Sequence, residues 1–220
     1  MGKIKAVLFD YDGTLMDTNN IILESWQHTF RQIEGRERPE AEIYATFGEI
    51  LHDTMKSFFP GRDTEECVRI YREYQEKCYK KLIEMFPGTK ELVEELKKEG
   101  FLLALVTSRL PKSTAVGLEK YGLAELFDVV ITCEDTDKHK PDPTPALLAI
   151  GRLGVSPDEC LMVGDTVYDM QCGKRAGAQT VLVDWSFALS RERRKDLAGD
   201  ARPDFIAGTA ADILELAKRI

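Results

Sequence analysis

Five short runs constrain most of what this chain can become. KAVLF (residues 5–9), LLALVT (102–107), VVIT (129–132), CLMVG (160–164) and TVLVDW (180–185) are apolar at nearly every position instead of every second one. Alternation marks a strand with one wet face, whereas an unbroken apolar run of this length marks a strand covered on both faces, as in parallel sheets. The segments between them carry helical patterns. TKELVEELKKEG closes on Gly100, STAVGLEKYG on Gly122 and TPALLAIGRLG on Gly154, while DMQCGKRAGA leads into the next strand. Glycine at such places suits the left-handed residue that ends a helix. Strand and helix in alternation predict a doubly wound, Rossmann-like α/β core with a parallel sheet and helices on both faces.

Residues 18–85 break that rhythm. TNNIILESWQHTFRQIEG and DTEECVRIYREYQEKCYKKLIEMF have the spacing of amphipathic helices, and no strand-like run intervenes. The expectation is an all-helical cap domain at 18–85, inserted into a core made of 1–17 and 86–220, with Pro87 and Gly88 marking the return. On helical spacing, Trp26, Tyr71 and Tyr74 read as the core of that cap.

Composition narrows the partners. At 43 % apolar and 31 % charged residues the chain is an ordinary globular protein. Thirty basic against thirty-eight acidic residues leave a net charge of −8, which offers no electrostatic case for nucleic acid or an anionic membrane. The one dense basic run, RERRK at 191–195, reads as the solvated face of a short helix. The opening MGKIKAVLFD holds too short an apolar stretch for a secretion signal, and no run approaches the roughly 20 apolar residues of a membrane helix. Five cysteines without a C-x-x-C pair point to a reducing cytoplasm, with Cys133 and Cys160 packed beside strands. A monomer or homodimer is expected.

In open parallel sheets ligands bind beyond the carboxyl ends of the strands. The residues that follow the predicted strands are Asp10-Tyr11-Asp12-Gly13, then Thr107-Ser108-Arg109, then Gly164-Asp165-Thr166 with Asp169 close behind; the third strand leads through EDTDKHKPDP to Lys140. Two carboxylates as close as Asp10 and Asp12 repel each other and gain nothing from apolar neighbours, so something must neutralise them. Taken singly, Thr166 and Asp142 read as capping or turn residues.

FDYDGTL, VTSR, KPDP and VGDTVYD resemble, in order and spacing, the four motifs of the haloacid dehalogenase superfamily, and the likeness spans essentially the whole chain. The resemblance implies that Asp10 is a nucleophile forming an aspartyl-phosphate and that Mg²⁺ is held by Asp10, the backbone carbonyl of Asp12, and Asp165, with Asp169 a ligand or its orienter. Asp12, two residues on in extended chain, faces the same side and is placed for general acid–base work. Gly13 lets the chain turn and bring backbone N–H groups near a phosphate. Thr107 and the backbone of Ser108 would bind phosphoryl oxygens, and Lys140 would offset Asp10 and steady the transferring group.

Departures from the pattern choose among members. Dehalogenases and phosphonatases of this superfamily lack the second aspartate, so Asp12 speaks for phosphate transfer. The sugar-phosphate mutases carry a histidine at the place aligned with Ile22, which this chain lacks. SWQHTF, LHDTM and DKHKPDPTPALLA are similar to the pyrophosphatase branch beside the phosphoglycolate phosphatases. The expected substrate is therefore pyrophosphate or a small phosphorylated metabolite resembling phosphoglycolate. Arg109 is either a contact for extra negative charge or a solvent-facing loop residue. In the cap, Gly48, Glu49 and His52 are the expected substrate contacts; of the three histidines, His28 and His139 read as structural. The alternatives are a sugar-phosphate mutase and a non-catalytic phosphate-binding regulator.

Overall fold

A computed structural model describes residues 3–189 and 195–220. Its strands are β1 (Ala6–Phe9), β2 (Met16–Asp17), β3 (Glu84–Met85), β4 (Leu102–Val106), β5 (Val129–Ile131), β6 (Cys160–Gly164), β7 (Gln179–Val183) and β8 (Phe205–Ala207). Six of them form one parallel sheet in the order β5-β4-β1-β6-β7-β8. The helices are α1 (Asn19–Glu34), α2 (Glu40–Tyr44), α3 (Leu51–Phe58), α4 (Thr64–Leu82), α5 (Thr89–Lys98), α6 (Pro111–Tyr121), α7 (Thr144–Leu153), α8 (Val167–Ala176) and α9 (Ala210–Arg219).

The apolar runs are continuous because each strand feeds two cores. Val7 and Phe9 of β1, Leu103 and Leu105 of β4, and Leu161 and Val163 of β6 face a cluster closed by α5, α6 and α9. Their neighbours Ala6, Leu8, Ala104, Val106, Cys160 and Met162 face a second cluster closed by α7 and α8. Side chains of a strand alternate between faces, so a sheet clad on both sides needs apolar residues at every position. Each fully buried Leu, Val or Phe contributes roughly 1.5–3 kcal/mol of transfer free energy. All five cysteines are free, and Cys160 and Cys172 are core residues. No helix among the described residues is long and apolar enough to cross a membrane.

Three features differ from the sequence reading. The sheet has a sixth strand, β8, whose three residues leave Ile206 58 % exposed at the edge; it is too short and too wet to read as an apolar run. The stretch 18–85 ends in a strand: β3 pairs antiparallel with β2, setting Met16 beside Met85 and Asp17 beside Glu84. Two short helices, α2 and α3, lie between the two long ones. The RERRK run lies outside the described residues except for Lys195.

Helices α1 to α4 share a core of their own. Trp26 stands at its centre, with the rings of Phe58 and Tyr71 each 5.2 Å away and Phe30 at 5.8 Å. Tyr74 is not part of this core: it stacks on His28, centroids 4.3 Å apart, on the outer side. The β2–β3 ribbon holds the two chain crossings side by side, and Phe86 N–H donates to Leu15 O at 3.1 Å to extend it.

Candidate active site

The winding of the sheet reverses between β1 and β6, and Asp10 sits at that place. Its N–H donates to Val163 O at 2.8 Å, so the β1–β6 ladder runs one residue past the strand and fixes the carboxylate at the rim. Crevices at such switch points are where doubly wound sheets take their ligands. After Asp10 the chain must turn at once, and Gly13 does so at φ +80°. A Cβ there would lie 2.0 Å from Asp165 Oδ2, so glycine is demanded by the backbone and by the neighbouring carboxylate together.

Lys140 arrives from the loop before α7 and is almost fully buried. Its Nζ donates to Asp10 Oδ1 at 2.5 Å, to Asp169 Oδ1 at 2.6 Å and to Val106 O at 3.1 Å, which uses all three ammonium protons. Burial works against its charge, but Asp10 and Asp169 outweigh it and hold the ammonium above its ordinary range. Asp169 has two duties. While Oδ1 meets Lys140, Oδ2 accepts from Thr166 N at 3.0 Å and Thr166 Oγ1 at 2.6 Å, and Thr166 Oγ1 in turn accepts from Asp169 N. This capping box starts α8 and aims Asp169 at the site. Asp142 is the turn residue expected, its Oδ1 accepting from Thr144 N at 2.9 Å ahead of α7.

One ammonium does not balance the acids. Asp10, Asp165 and Asp169 offer oxygens that lie within 4.8 Å of one another. Asp165 accepts from Ser186 Oγ at 2.5 Å through Oδ2, while its Oδ1 is buried without a hydrogen bond. Burial, helped by Asp169 and only partly opposed by Lys140, pushes the Asp10 carboxyl up to about 7. Burial and the charges of Asp10 and Asp169 raise Asp165 as well. A buried cluster of hard oxygens in which Asp10 and Asp165 resist ionisation, with one oxygen of Asp165 unclaimed, suits a divalent cation.

Around this cluster lies a cavity of about 180 Å³ between the sheet rim and α1, α3 and α4. Asp12, Thr107, Ser108 and Arg109 line it, as do Gly48 and Glu49 of the helical segment. The candidates from four separate stretches of sequence are thus brought together. His52 is the exception and is corrected here: it lies outside the lining, its Nε2 turned to Glu65 Oε1 at 2.9 Å, because its place on α3 directs the ring toward the start of α4. Arg109 is not a solvent-facing loop residue either. It is buried, with Nη1 donating to Asp12 Oδ1 at 2.6 Å. Thr107 Oγ1 accepts from Arg109 N at 3.2 Å, which anchors that loop.

The residues match the family model described as haloacid dehalogenase-like hydrolase from position 7 to position 183. The chain belongs to this family. A relative in Clostridium perfringens, provisionally named pyrophosphatase PpaX, is 39 % identical over 217 residues, 99 % of each chain. Pyrophosphatase PpaX of Halalkalibacterium halodurans is 35 % identical over 214 residues, 97 % of each. Among solved structures, a protein of Lactobacillus plantarum provisionally named phosphoglycolate phosphatase superposes with a TM-score of 0.83 at 25 % identity, covering 98 % of this chain and all of its own. In this hydrolase the sequence reading missed Ser186, which fixes Asp165; the rule that found the other residues, a polar side chain soon after a strand, finds it too when applied to β7.

Proposed function

We propose that the chain is a Mg²⁺-dependent phosphohydrolase working through an aspartyl-phosphate on Asp10, and that residues 18–85 form a cap domain over a core of 1–17 and 86–220. The observation that carries this reading is the convergence of Asp10 and Asp169 on a single lysine at the sheet's switch point, with an oxygen of Asp165 within 4.8 Å of both acids, beside a cavity that Asp12 also lines. Asp10, Asp165 and the backbone carbonyl of Asp12 would hold the cation, with Asp169 beside them; bound there it would offset the acids and draw charge from phosphoryl oxygens.

The chemistry of the side chains follows. Asp10 attacks phosphorus, and the bond to the leaving oxygen breaks as Asp12 gives that oxygen a proton. Asp12, now ionised, takes a proton from water as the water attacks the same phosphorus, and the phosphorus–Asp10 bond breaks to release phosphate. Thr107 and the Ser108 backbone hold the phosphoryl oxygens, while Lys140, its three protons given to Asp10, Asp169 and Val106 O, offsets the charge of the acids beside them. A pure phosphate binder would have no use for Asp12.

Pyrophosphate or a small monoester resembling phosphoglycolate is the substrate best supported. The two PpaX relatives align over nearly their full length, and a cavity of about 180 Å³ suits a compact anion. Ile22 lines that cavity, whereas none of the three histidines does, which favours hydrolysis over a mutase. Five free cysteines support action in a reducing cytoplasm. The test is phosphate release from a panel of phosphorylated metabolites and pyrophosphate, with Mg²⁺ and with EDTA. Asp10→Asn should abolish turnover of every substrate; near-normal turnover in that variant refutes the nucleophile.

A further inference from the structure

Arg109 follows the Thr107-Ser108 pair on the β4 loop, where a cation invites assignment to the substrate's phosphate. Its surroundings say otherwise. The side chain is 7 % exposed, and the arm that makes a hydrogen bond is taken: Nη1 donates to Asp12 Oδ1 at 2.6 Å. The guanidinium carbon lies 4.2 Å from the ring centre of Tyr79 and 5.7 Å from that of Tyr11. Nε and Nη2 are closed off from solvent with no hydrogen-bond partner among the described residues. The two tyrosines are tied to each other by a hydroxyl–hydroxyl hydrogen bond of 2.8 Å. Arg109 is among the residues that line the cavity, but its Nε and Nη2 are shut off from it, and the side-chain hydrogen bond it makes is to Asp12.

We propose that Arg109 is a positioning residue for Asp12, seated on Tyr79 of α4, and not a ligand for the substrate's phosphate. The inference rests on the reading of Asp12 as acid and base. Arg109 fixes Oδ1 of Asp12, leaving Oδ2 to pass the proton to the leaving oxygen and take one from water. A planar cation stacked on an aromatic face cannot rotate freely, so it sets the direction of the carboxylate as well as its place. Because Tyr79 belongs to α4 while Tyr11 and Asp12 follow β1, the orientation of the acid depends on how α4 sits against the sheet.

The experiment exploits the leaving group. A p-nitrophenolate leaves without a proton, whereas the alkoxide of an alkyl phosphate needs one. Release of the leaving group is followed in a single turnover, with Mg²⁺-loaded enzyme in saturating excess, so that binding and the second step drop out. Arg109→Met should slow release from phosphoglycolate about 10- to 100-fold, the scale of misplacing a general acid, and release from p-nitrophenyl phosphate by less than about threefold. Asp12→Asn should show the same contrast, and the double variant should be no slower than Asp12→Asn alone, since both changes remove one device. Arg109→Lys keeps the charge without the planar stack, so it should fall between wild type and Arg109→Met; it carries the same comparison if the methionine variant does not fold. Equal losses on both esters, or release from phosphoglycolate at the wild-type rate, overturn the proposal. If Asp12→Asn itself shows no leaving-group contrast, the acid–base reading fails, and the role given to Arg109 falls with it.

Discussion

Removing divalent cations should make the protein less stable as pH rises from about 4 to about 7, and Mg²⁺ should abolish that slope. The Asp10 carboxyl, ordinarily at 3.8, stands at about 7 in the folded chain, raised first by burial and then by Asp169. Between those two values the folded state keeps a proton that the unfolded state has lost. Stability is then fully present below the unfolded value and falls by about 1.4 kcal/mol for each pH unit until the folded value is passed. About three units give roughly 4 kcal/mol, a large share of the 5–15 kcal/mol by which domains are ordinarily stable. Asp165 shifts in the same direction and steepens the slope. Groups shifted the other way, such as Glu159 beside Lys5 and Asp135 beside Thr132, act below that window.

Urea unfolding at pH 5, 6, 7 and 8, in EDTA and in Mg²⁺, measures this directly. A cation must displace the proton, so its affinity grows about tenfold per pH unit while one proton leaves, and its stabilising effect grows in step. The EDTA curve should descend toward pH 7 and the Mg²⁺ curve stay level, with the gap widest above pH 7. Asp10→Asn should remove most of the descent. An EDTA-treated protein equally stable at pH 5 and pH 8, or an Mg²⁺ effect of the same size at both, would refute the reasoning that these acids lack a countercharge.

Two substitutions test the packing around the site. Gly13→Ala meets a left-handed backbone and a Cβ 2.0 Å from Asp165 Oδ2, so it should lower stability by about 1–2 kcal/mol and, by moving Asp165, weaken Mg²⁺ binding in a calorimetric titration. Gly117→Ala would set a methyl 1.7 Å from Tyr11 Oη and 2.9 Å from Ile83 Cδ1; urea unfolding should show a loss of about 1–3 kcal/mol from overpacking.

The parts of this molecule legible in the sequence are those where one local signal suffices. Strands covered on both faces announce themselves by unbroken apolar runs, and helix ends by Gly122 and Gly154, both left-handed here. Asp10, Lys140, Asp165 and Asp169 were legible because each stands just beyond a strand or in the KPDP turn. What escaped depends on contacts across the chain. The strand β8 is defined by pairing with β7 and not by its own three residues. His52 has the composition of a ligand, yet its direction is set by where α3 lies against α4. Ser186 acquires its part only when β7 brings it to Asp165, 21 residues away in sequence.

The Asp-Tyr-Asp stretch ties these levels together. Tyr11 is wholly buried, and its hydroxyl meets Tyr79 of α4 within the core cluster that lies on the α5, α6 and α9 face. The two aspartates beside it turn to the cavity. A phenylalanine at position 11 would keep the packing and lose the link to Tyr79, whereas a small residue would leave a void beneath Arg109. The residue between two acids is thus as constrained as they are: it fastens the reacting end of β1 to a helix contributed from outside the sheet. The geometry of the acid at position 12 is held from both directions, by the strand that precedes it and by the arginine that rests on the same pair of tyrosines.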